Sequence, residues 1–352
     1  MIAEAIAEMI AEMIAEPSSW LAIFAALLVS WSLTPWLRRH LLNQGIADHP
    51  GPRRSHQVLT PRGGGLAMAA ALLVFVLLAP LQISSAVTMA LLVLTLAGLG
   101  WIDDVFGLGV RARLVGQLLI VIGLVWWFGD LTALRLGRYE LDTVWLIKPL
   151  AVMAALWLIN LHNFMDGSDG LAAAQVVFVG LVLGYLLLDA GNQAWGLFGF
   201  GLAGACLGFL VWNRPPARIF MGDSGSLLIG GGVAALALAG AAGTGPSIWI
   251  SLMVTSVFVV DATATLVYRA VSGQRWYTPH RQHVYQRLII RGVGHGKVLG
   301  AYMTINLGLV LPTVAAAHWR PDWELRLVSG LILLLLAGWF IVQAWVGTEN
   351  NK

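Results

Sequence analysis

Eleven runs of apolar residues, each bounded by charged residues or by Gly and Pro, fill the chain almost from end to end: about 19–37, 63–80, 85–101, 114–129, 143–160, 171–189, 195–212, 225–243, 247–268, 298–317 and 326–346. A helix needs roughly 20 apolar residues to cross the hydrocarbon of a bilayer. Inside that hydrocarbon every backbone N–H and C=O must find a partner within the protein, which helical bundles and closed barrels achieve. The runs lack the alternation of apolar and polar residues that marks a membrane β-barrel. The pattern predicts an all-α polytopic membrane protein of about 11 transmembrane helices. Composition agrees, because 58% of the 352 residues are hydrophobic and only 11% charged, against roughly 25% charged in soluble domains.

No stretch between the runs is long enough for a separate soluble domain, so residues 19–346 read as a single transmembrane domain with loops. Residues 347–352 are a tail. The leader, 1–18, carries Glu4, Glu8, Glu12 and Glu16 at a spacing of four, where like charges mildly oppose helix formation. It lacks the basic start of a secretory signal and receives no function. The lone cysteine, Cys206, excludes an intramolecular disulfide and a thiolate metal site.

Sixteen of the 21 Lys and Arg residues fall in the connections on one face, among them Arg38, Arg53, Arg54, Arg62, Arg111, Arg113, Arg214, Arg218 and Arg281. The positive-inside rule predicts that this face is cytoplasmic, which sets the N-terminus outside and the C-terminus in the cytoplasm.

Five polar segments share that face. Asp48-His-Pro-Gly-Pro-Arg-Arg-Ser-His56, followed by Thr60-Pro-Arg-Gly-Gly-Gly65, offers arginines and Gly-supplied amides suited to phosphate; Arg53, Arg54 and His56 are its candidate substrate contacts. Asp103 and Asp104 end an apolar helix, where adjacent side chains point about 100° apart and divide their tasks: one ligates a cation, the other acts as base or supports a ligand. Asn160, Asn163, Asp166 and Asp169 recur every three residues, so a helix through them carries one polar stripe. Asn213 to Leu227 sets Asp223 at a helix start, where backbone amides favour anions, just after Phe220, a ring able to stack on a base. The longest connection, about 269–297, holds His280, Arg281, His283, Tyr285 and Arg287, fit either for phosphate or for anionic lipid. Deeper in the ninth run, Asp261 reads as a functional group or, the better account, as a buried hydrogen-bonding or ion-pairing anchor. Many carboxylates without thiolates suit a hard cation such as Mg²⁺ acting with substrate phosphates. No Gly-x4-Gly-Lys-Ser/Thr loop is present, which argues against an ordinary P-loop ATPase.

Asp103-Asp104, Asn163-Phe-Met-Asp-Gly-Ser-Asp-Gly170 and Phe220-Met-Gly-Asp-Ser-Gly-Ser226 resemble, in order, the signatures of the polyprenyl-phosphate N-acetylhexosamine-1-phosphate transferases, the group that includes MraY, WecA and WbpL. The resemblance runs from about residue 35 to 345. It implies transfer of a sugar-1-phosphate from a UDP-N-acetylhexosamine to undecaprenyl phosphate, with release of UMP, in the bacterial inner membrane and with the active site toward the cytoplasm. It implies Mg²⁺, or Mn²⁺ in its place, as cofactor, membrane lipid as surroundings, no nucleic-acid partner, and admits a homodimer. Residue by residue, it implies Asp223 as a metal ligand, Asp103 and Asp104 as an acidic pair shared between metal and catalysis, Asp166 as catalytic, Asn163 as a substrate contact, and Asp169, Asn213 and Phe220 as holders of uridine.

One signature departs. Where many members carry Asp-Arg-x-His-x-His-His, this chain has His280-Arg-Gln-His283-Val-Tyr285-Gln286, so that only Arg281 and His283 keep their places. That pattern resembles the WbpL-type branch, which implies FucNAc-1-phosphate or GlcNAc-1-phosphate transfer at the start of O-antigen or related surface glycans. The competing class is a secondary transporter, for which polar residues gather near the bilayer midplane on broken helices; here they gather at run ends.

Overall fold

In the computed structural model of the chain the residues described are 17–48, 59–129, 131, 134–136, 139–141, 143–243, 245–275, 277–278 and 280–347. Arg53, Arg54 and His56, most of the leader and most of the tail lie outside the described residues. The helices in chain order are α1 (Pro17–Asn43), α2 (Gly65–Leu78), α3 (Ile83–Phe106), α4 (Val110–Trp127), α5 (Val144–Met165), α6 (Leu171–Asp189), α7 (Gln193–Asn213), α8 (Asp223–Ala241), α9 (Ile248–Val271), the short α10 (Val284–Ile290), α11 (His295–Ile305), α12 (Leu311–Trp319) and α13 (Glu324–Gly347). A π-helical turn, Asn306–Val310, joins α11 to α12, and the two run on as one span.

Ten of these helices, taking α11 and α12 as one, are long and apolar enough to cross a membrane, and α2 is a shorter apolar helix. Each of the eleven sequence runs therefore coincides with a helix. Strand structure among the described residues is confined to two antiparallel pairs: β1 (Ala47–Asp48) with β2 (Thr60–Pro61), and β3 (Leu134–Leu136) with β4 (Tyr139–Leu141).

Successive spans alternate in direction, so the end of each odd-numbered helix from α1 to α7 and the start of the next meet at one end of the bundle. Contacts distant in sequence confirm this. Arg38 at the end of α1 donates to the carbonyl of Arg218 before α8 (2.9 Å), and Tyr285 donates to the carbonyl of Phe164 at the end of α5 (2.7 Å). The opposite end carries its own ties, such as His318 with Asp189 (3.3 Å). Helix α1 thus starts at that opposite end, while α13 finishes at the first, where Arg291 donates to the carbonyl of Val346.

Helix α8 is the axis of the bundle: 94% of its apolar window is buried, against 17% for the span ending in α13. Between apolar helices in lipid, close packing of small residues takes the place of a hydrophobic driving force, and α8 is built for it. A Cβ on Gly65 would stand 2.0 Å from the Gly225 nitrogen, and one on Gly100 would stand 2.2 Å from the Asp223 carbonyl oxygen. The starts of α2 and α8 and the last turns of α3 therefore touch backbone to backbone. The motifs carried by these three helices meet for that reason.

The polar stripe expected through residues 160–169 is interrupted. Helix α5 stops at Met165, so Asn160 and Asn163 lie on the helix, Asp166 caps its end, and Asp169 belongs to the following turn. Asn160 points away from the others and donates to Gln117 of α4 (2.7 Å).

Candidate active site

The segment before α2 lies along the segment before α8. Phe220 N–H donates to the Pro61 carbonyl (2.8 Å), and the N–H groups of Gly63 and Gly64 donate back to the Phe220 carbonyl (3.2 and 2.9 Å). This pairing fixes the backbone of Arg62 at the mouth of α8. Its guanidinium bridges two carboxylates, with Nε 2.8 Å from Asp104 Oδ1 and Nη2 2.5 Å from Asp223 Oδ2.

The two neighbouring aspartates at the end of α3 take different partners. Asp104 accepts from the N–H groups of Asp223 (2.8 Å) and Ser224 (2.9 Å). Its carboxylate is thus the anion at the α8 N-terminus, where free amides and the helix dipole favour negative charge. With Arg62 it uses three of roughly four lone-pair positions. Asp103 turns the other way, accepting from Leu108 N–H (2.7 Å) and pairing with Arg113 (3.0 Å), and so braces the α3–α4 connection.

Asp223 is less committed. Besides Arg62 it accepts from the side-chain amide of Asn163, which also donates to Ser226 (2.8 Å). Asp166 is freer still, because among the described residues no donor is bonded to its carboxylate. Dehydration pushes its pKa well above the usual carboxylate range, Arg62 pulls it down, and Asp223, Asp104 and Asp169 push it up again. One end of the bundle therefore gathers three carboxylates around a single guanidinium. Among the described residues no cluster of three or more His, Cys, Asp or Glu side chains is ready-made to hold a metal ion. The donor set still fits Mg²⁺, which takes one or two carboxylates and completes its shell with waters and substrate phosphates; Asp223 and Asp166 have lone pairs to spare.

Around this centre stands a frame of hydrogen-bonded turns. Asp169 accepts from Ala217 N–H (2.9 Å) and lies 3.7 Å from His295 Nδ1. Asn213, 3% exposed, accepts from Gly170 N–H (3.0 Å) and donates to the Ile219 carbonyl (2.9 Å). Both side chains thus clamp the turn before α6 to the segment before α8. Phe220, whose backbone pairs with Arg62, is half-buried.

The last large connection contributes from one side. His283 is 3% exposed and stacks its ring against those of Phe164 (6.3 Å, 21°) and Tyr285 (6.0 Å, 11°). Arg281 is half-buried, with no hydrogen bond or ion pair among the described residues. Tyr285, in one of the places where the resemblance expects a histidine, is fully buried and reaches under the α5–α6 turn. Asp261 is the anchor expected of it: it accepts from Val284 N–H (2.8 Å) and the Tyr302 hydroxyl (2.7 Å), fixing α10 to α9 and α11.

Sequence reasoning missed two residues. Arg62 stands in the segment read as phosphate-binding, beside the candidates Arg53 and Arg54; the run of three glycines that follows it into the start of α2 is the available signal. His295 accepts from the N–H of Asp169 (3.2 Å) and contacts the Ser168 hydroxyl (3.1 Å), and no motif singled it out.

Residues 86–241, from α3 to α8, match the family model described as Glycosyl transferase family 4. A phospho-N-acetylmuramoyl-pentapeptide-transferase of a Synechococcus species is 32% identical over 85% of this chain and 91% of its own length. A decaprenyl-phosphate N-acetylglucosaminephosphotransferase of Mycolicibacterium smegmatis is 31% identical over 88% of this chain and 84% of its own. A Bacillus subtilis protein named "Probable undecaprenyl-phosphate N-acetylglucosaminyl 1-phosphate transferase" is 29% identical over 94% and 93%. The transporter reading has no support from these relatives or from the site, whose charges lie at helix ends.

Proposed function

The chain belongs to the polyprenyl-phosphate hexosamine-1-phosphate transferase family, and we propose that it transfers an N-acetylhexosamine-1-phosphate from a UDP-sugar to undecaprenyl phosphate. The observation that carries this reading is the convergence of Asp104, Asp166, Asp223, Asn163 and Arg62 at one end of an apolar bundle. In the reaction an acceptor phosphate oxygen attacks the β-phosphorus of the nucleotide sugar. A new P–O–P linkage forms, the bond from that phosphorus to the bridging oxygen breaks, and UMP leaves with the bond electrons.

Two anionic substrates repel each other, so the site must supply positive charge at the point of transfer. Arg62 supplies part of it. Asp223, with Asp166 beside it, would hold Mg²⁺ or Mn²⁺. The cation would neutralise charge on the diphosphate and the leaving phosphate. Asp166, uncommitted to any donor and with its pKa raised, is suited to accept a proton from the acceptor phosphate. Asp104 works indirectly, holding the start of α8 and hence the direction of Asp223. The turn clamped by Asp169 and Asn213, with Phe220 at its edge, is the place for uridine. Arg53, Arg54, His56 and Arg281 are further substrate contacts, and His283 backs Phe164 from behind.

The acceptor's long tail reaches the site through lipid, which accounts for catalysis at the edge of a bundle that crosses the membrane. By its excess of Lys and Arg this edge faces the cytoplasm of a bacterial inner membrane. The changed last connection favours a FucNAc or GlcNAc donor and a role in starting O-antigen or a related surface glycan. The test is UMP release by the purified protein with Mg²⁺, undecaprenyl phosphate and a panel of UDP-sugars. UMP release with an N-acetylhexosamine donor is expected, and its absence with every sugar would overturn the reading. Equal or better turnover of UDP-GlcNAc removes the preference for FucNAc.

A further inference from the structure

We propose that Arg62 is a built-in placeholder cation, which holds Asp223 while no divalent ion is bound and moves to the diphosphate of the nucleotide sugar once one is. The inference rests on the function proposed above, but it concerns what this side chain does before any substrate arrives.

The two carboxylates that Arg62 bridges depend on it unequally. Asp104 is 1% exposed at its side chain and keeps two backbone N–H partners if the guanidinium leaves. Among the described residues Asp223 would keep only the Asn163 amide, so it is the carboxylate that gains most from another cation. Arg62 itself is 42% exposed at its side chain, on the open side of carboxylates that are almost covered. Its backbone is fixed by the pairing of residues 61–64 with Phe220, so the transfer needs rotation of a side chain and no movement of a helix.

The neighbouring pair of Arg113 and Asp103 shows what a permanent ion pair looks like here. Its side chains are 20% and 6% exposed, and Arg113 serves that one carboxylate. Arg62 instead spans two carboxylates from different helices. A guanidinium and a divalent ion cannot both lie against Asp223 without strong repulsion at such range. The planar fork released from Asp223 matches a phosphate, to which it can bond with two N–H groups at once. The exchange also keeps bare carboxylates from repelling one another in the ligand-free site and from repelling the incoming diphosphate.

The test uses Mn²⁺ as the probe, read by electron paramagnetic resonance on the full chain in nanodiscs without donor or acceptor. Arg62→Met is expected to bind Mn²⁺ at least about tenfold more tightly than the unsubstituted protein, the scale of removing one nearby like charge, whereas Arg62→Lys keeps the weaker affinity. At saturating metal, Arg62→Met is expected to raise KM for the UDP-sugar. The unsubstituted protein gives an independent reading. Phenylglyoxal modification of Arg62, followed by peptide mass mapping, should speed up with Mn²⁺ alone and slow down when UDP-sugar is added. Equal or weaker Mn²⁺ binding by Arg62→Met, or an Arg62 modification rate that ignores Mn²⁺, would overturn the proposal. Mn²⁺ competition in a protein that releases no UMP from any sugar would leave the placeholder standing and remove the proposed reaction.

Discussion

Two buried aspartate centres lie toward the same end of the bundle, and they treat their charge in opposite ways. Asp261 is surrounded by neutral donors: the Val284 N–H and the Tyr302 hydroxyl and, more distantly, the Thr265 hydroxyl and the Tyr285 N–H. Its nearest cationic candidate, His283, lies 4.0 Å away. Asp223 has one neutral amide and a guanidinium shared with another carboxylate. A carboxylate saturated by fixed neutral donors has no lone pair left for a ligand and serves the fold. One balanced by a half-exposed side-chain cation is open to exchange of that cation, and its charge stays available for chemistry.

The comparison breaks most readily at these two residues. Asp223→Asn keeps the size and the Asn163 contact but removes the charge. It is expected to lower kcat for UMP release by about 10²–10³-fold or more, roughly 3–4 kcal/mol of barrier, with little change in denaturation temperature. Asp261→Asn is expected to do the reverse, costing about 1–3 kcal/mol of stability through a weakened set of buried hydrogen bonds, seen as a lower denaturation temperature in nanodiscs with most turnover retained. Loss of turnover by Asp261→Asn equal to that of Asp223→Asn, at an unchanged denaturation temperature, would end the division between the two centres.

Which of these aspartates was legible in the sequence follows from what each depends on. Eleven apolar helices, ten of them long enough to cross a membrane, could be read from hydropathy because lipid demands long apolar helices one at a time, independent of their neighbours. The motifs on α3, α5 and α8 could be read because several polar groups stand close together in an apolar chain. What stayed hidden depends on packing. The proximity of Asp104 to the α8 amides is created by the contacts at Gly65 and Gly100, 119 residues apart in sequence for Asp104 and Asp223. Nothing local to Asp104 tells that it caps a helix so far along the chain. Arg62 was hidden for the same reason, since its two partners come from different helices. The stripe through residues 160–169 looks continuous in the sequence because spacing by three persists after the helix has ended at Met165.

The supporting side of the site offers a smaller test. A Cβ on Gly167 would stand 2.2 Å from the Tyr285 hydroxyl oxygen, so Gly167→Ala must push aside either the α5–α6 turn or the tyrosine bonded to Phe164. The expected cost is about 1–3 kcal/mol, typical of overpacking, together with a higher KM for the UDP-sugar because Asp166 and Asp169 flank that glycine. Gly167→Ala combined with Tyr285→Phe, which removes the clashing hydroxyl, should recover part of both losses. Failure of the double variant to recover either would show that Tyr285 does not buttress the turn.

The smallest effects lie in how the two regions respond to pH. Burial, His283 and Arg269 push the His280 pKa down to about 4, and burial lowers that of His283. Below the ordinary histidine value near 6.5, the unfolded chain therefore binds more protons than the folded one. The stability these rings contribute is present above about pH 6.5 and is lost as pH falls toward 4. Asp166 works with the opposite sign: its pKa is raised in the fold, so its contribution is present below the usual carboxylate value and is lost as pH rises through the raised one. In metal-free protein, His280→Gln should flatten the fall in denaturation temperature on acidification from pH 7 toward 4. Asp166→Asn should instead raise the denaturation temperature at neutral pH, and saturating Mn²⁺ should erase that second difference by giving the Asp166 carboxylate a partner. An Asp166→Asn protein no more stable than its parent without metal would mean that the site does not leave this carboxylate charged and unpartnered.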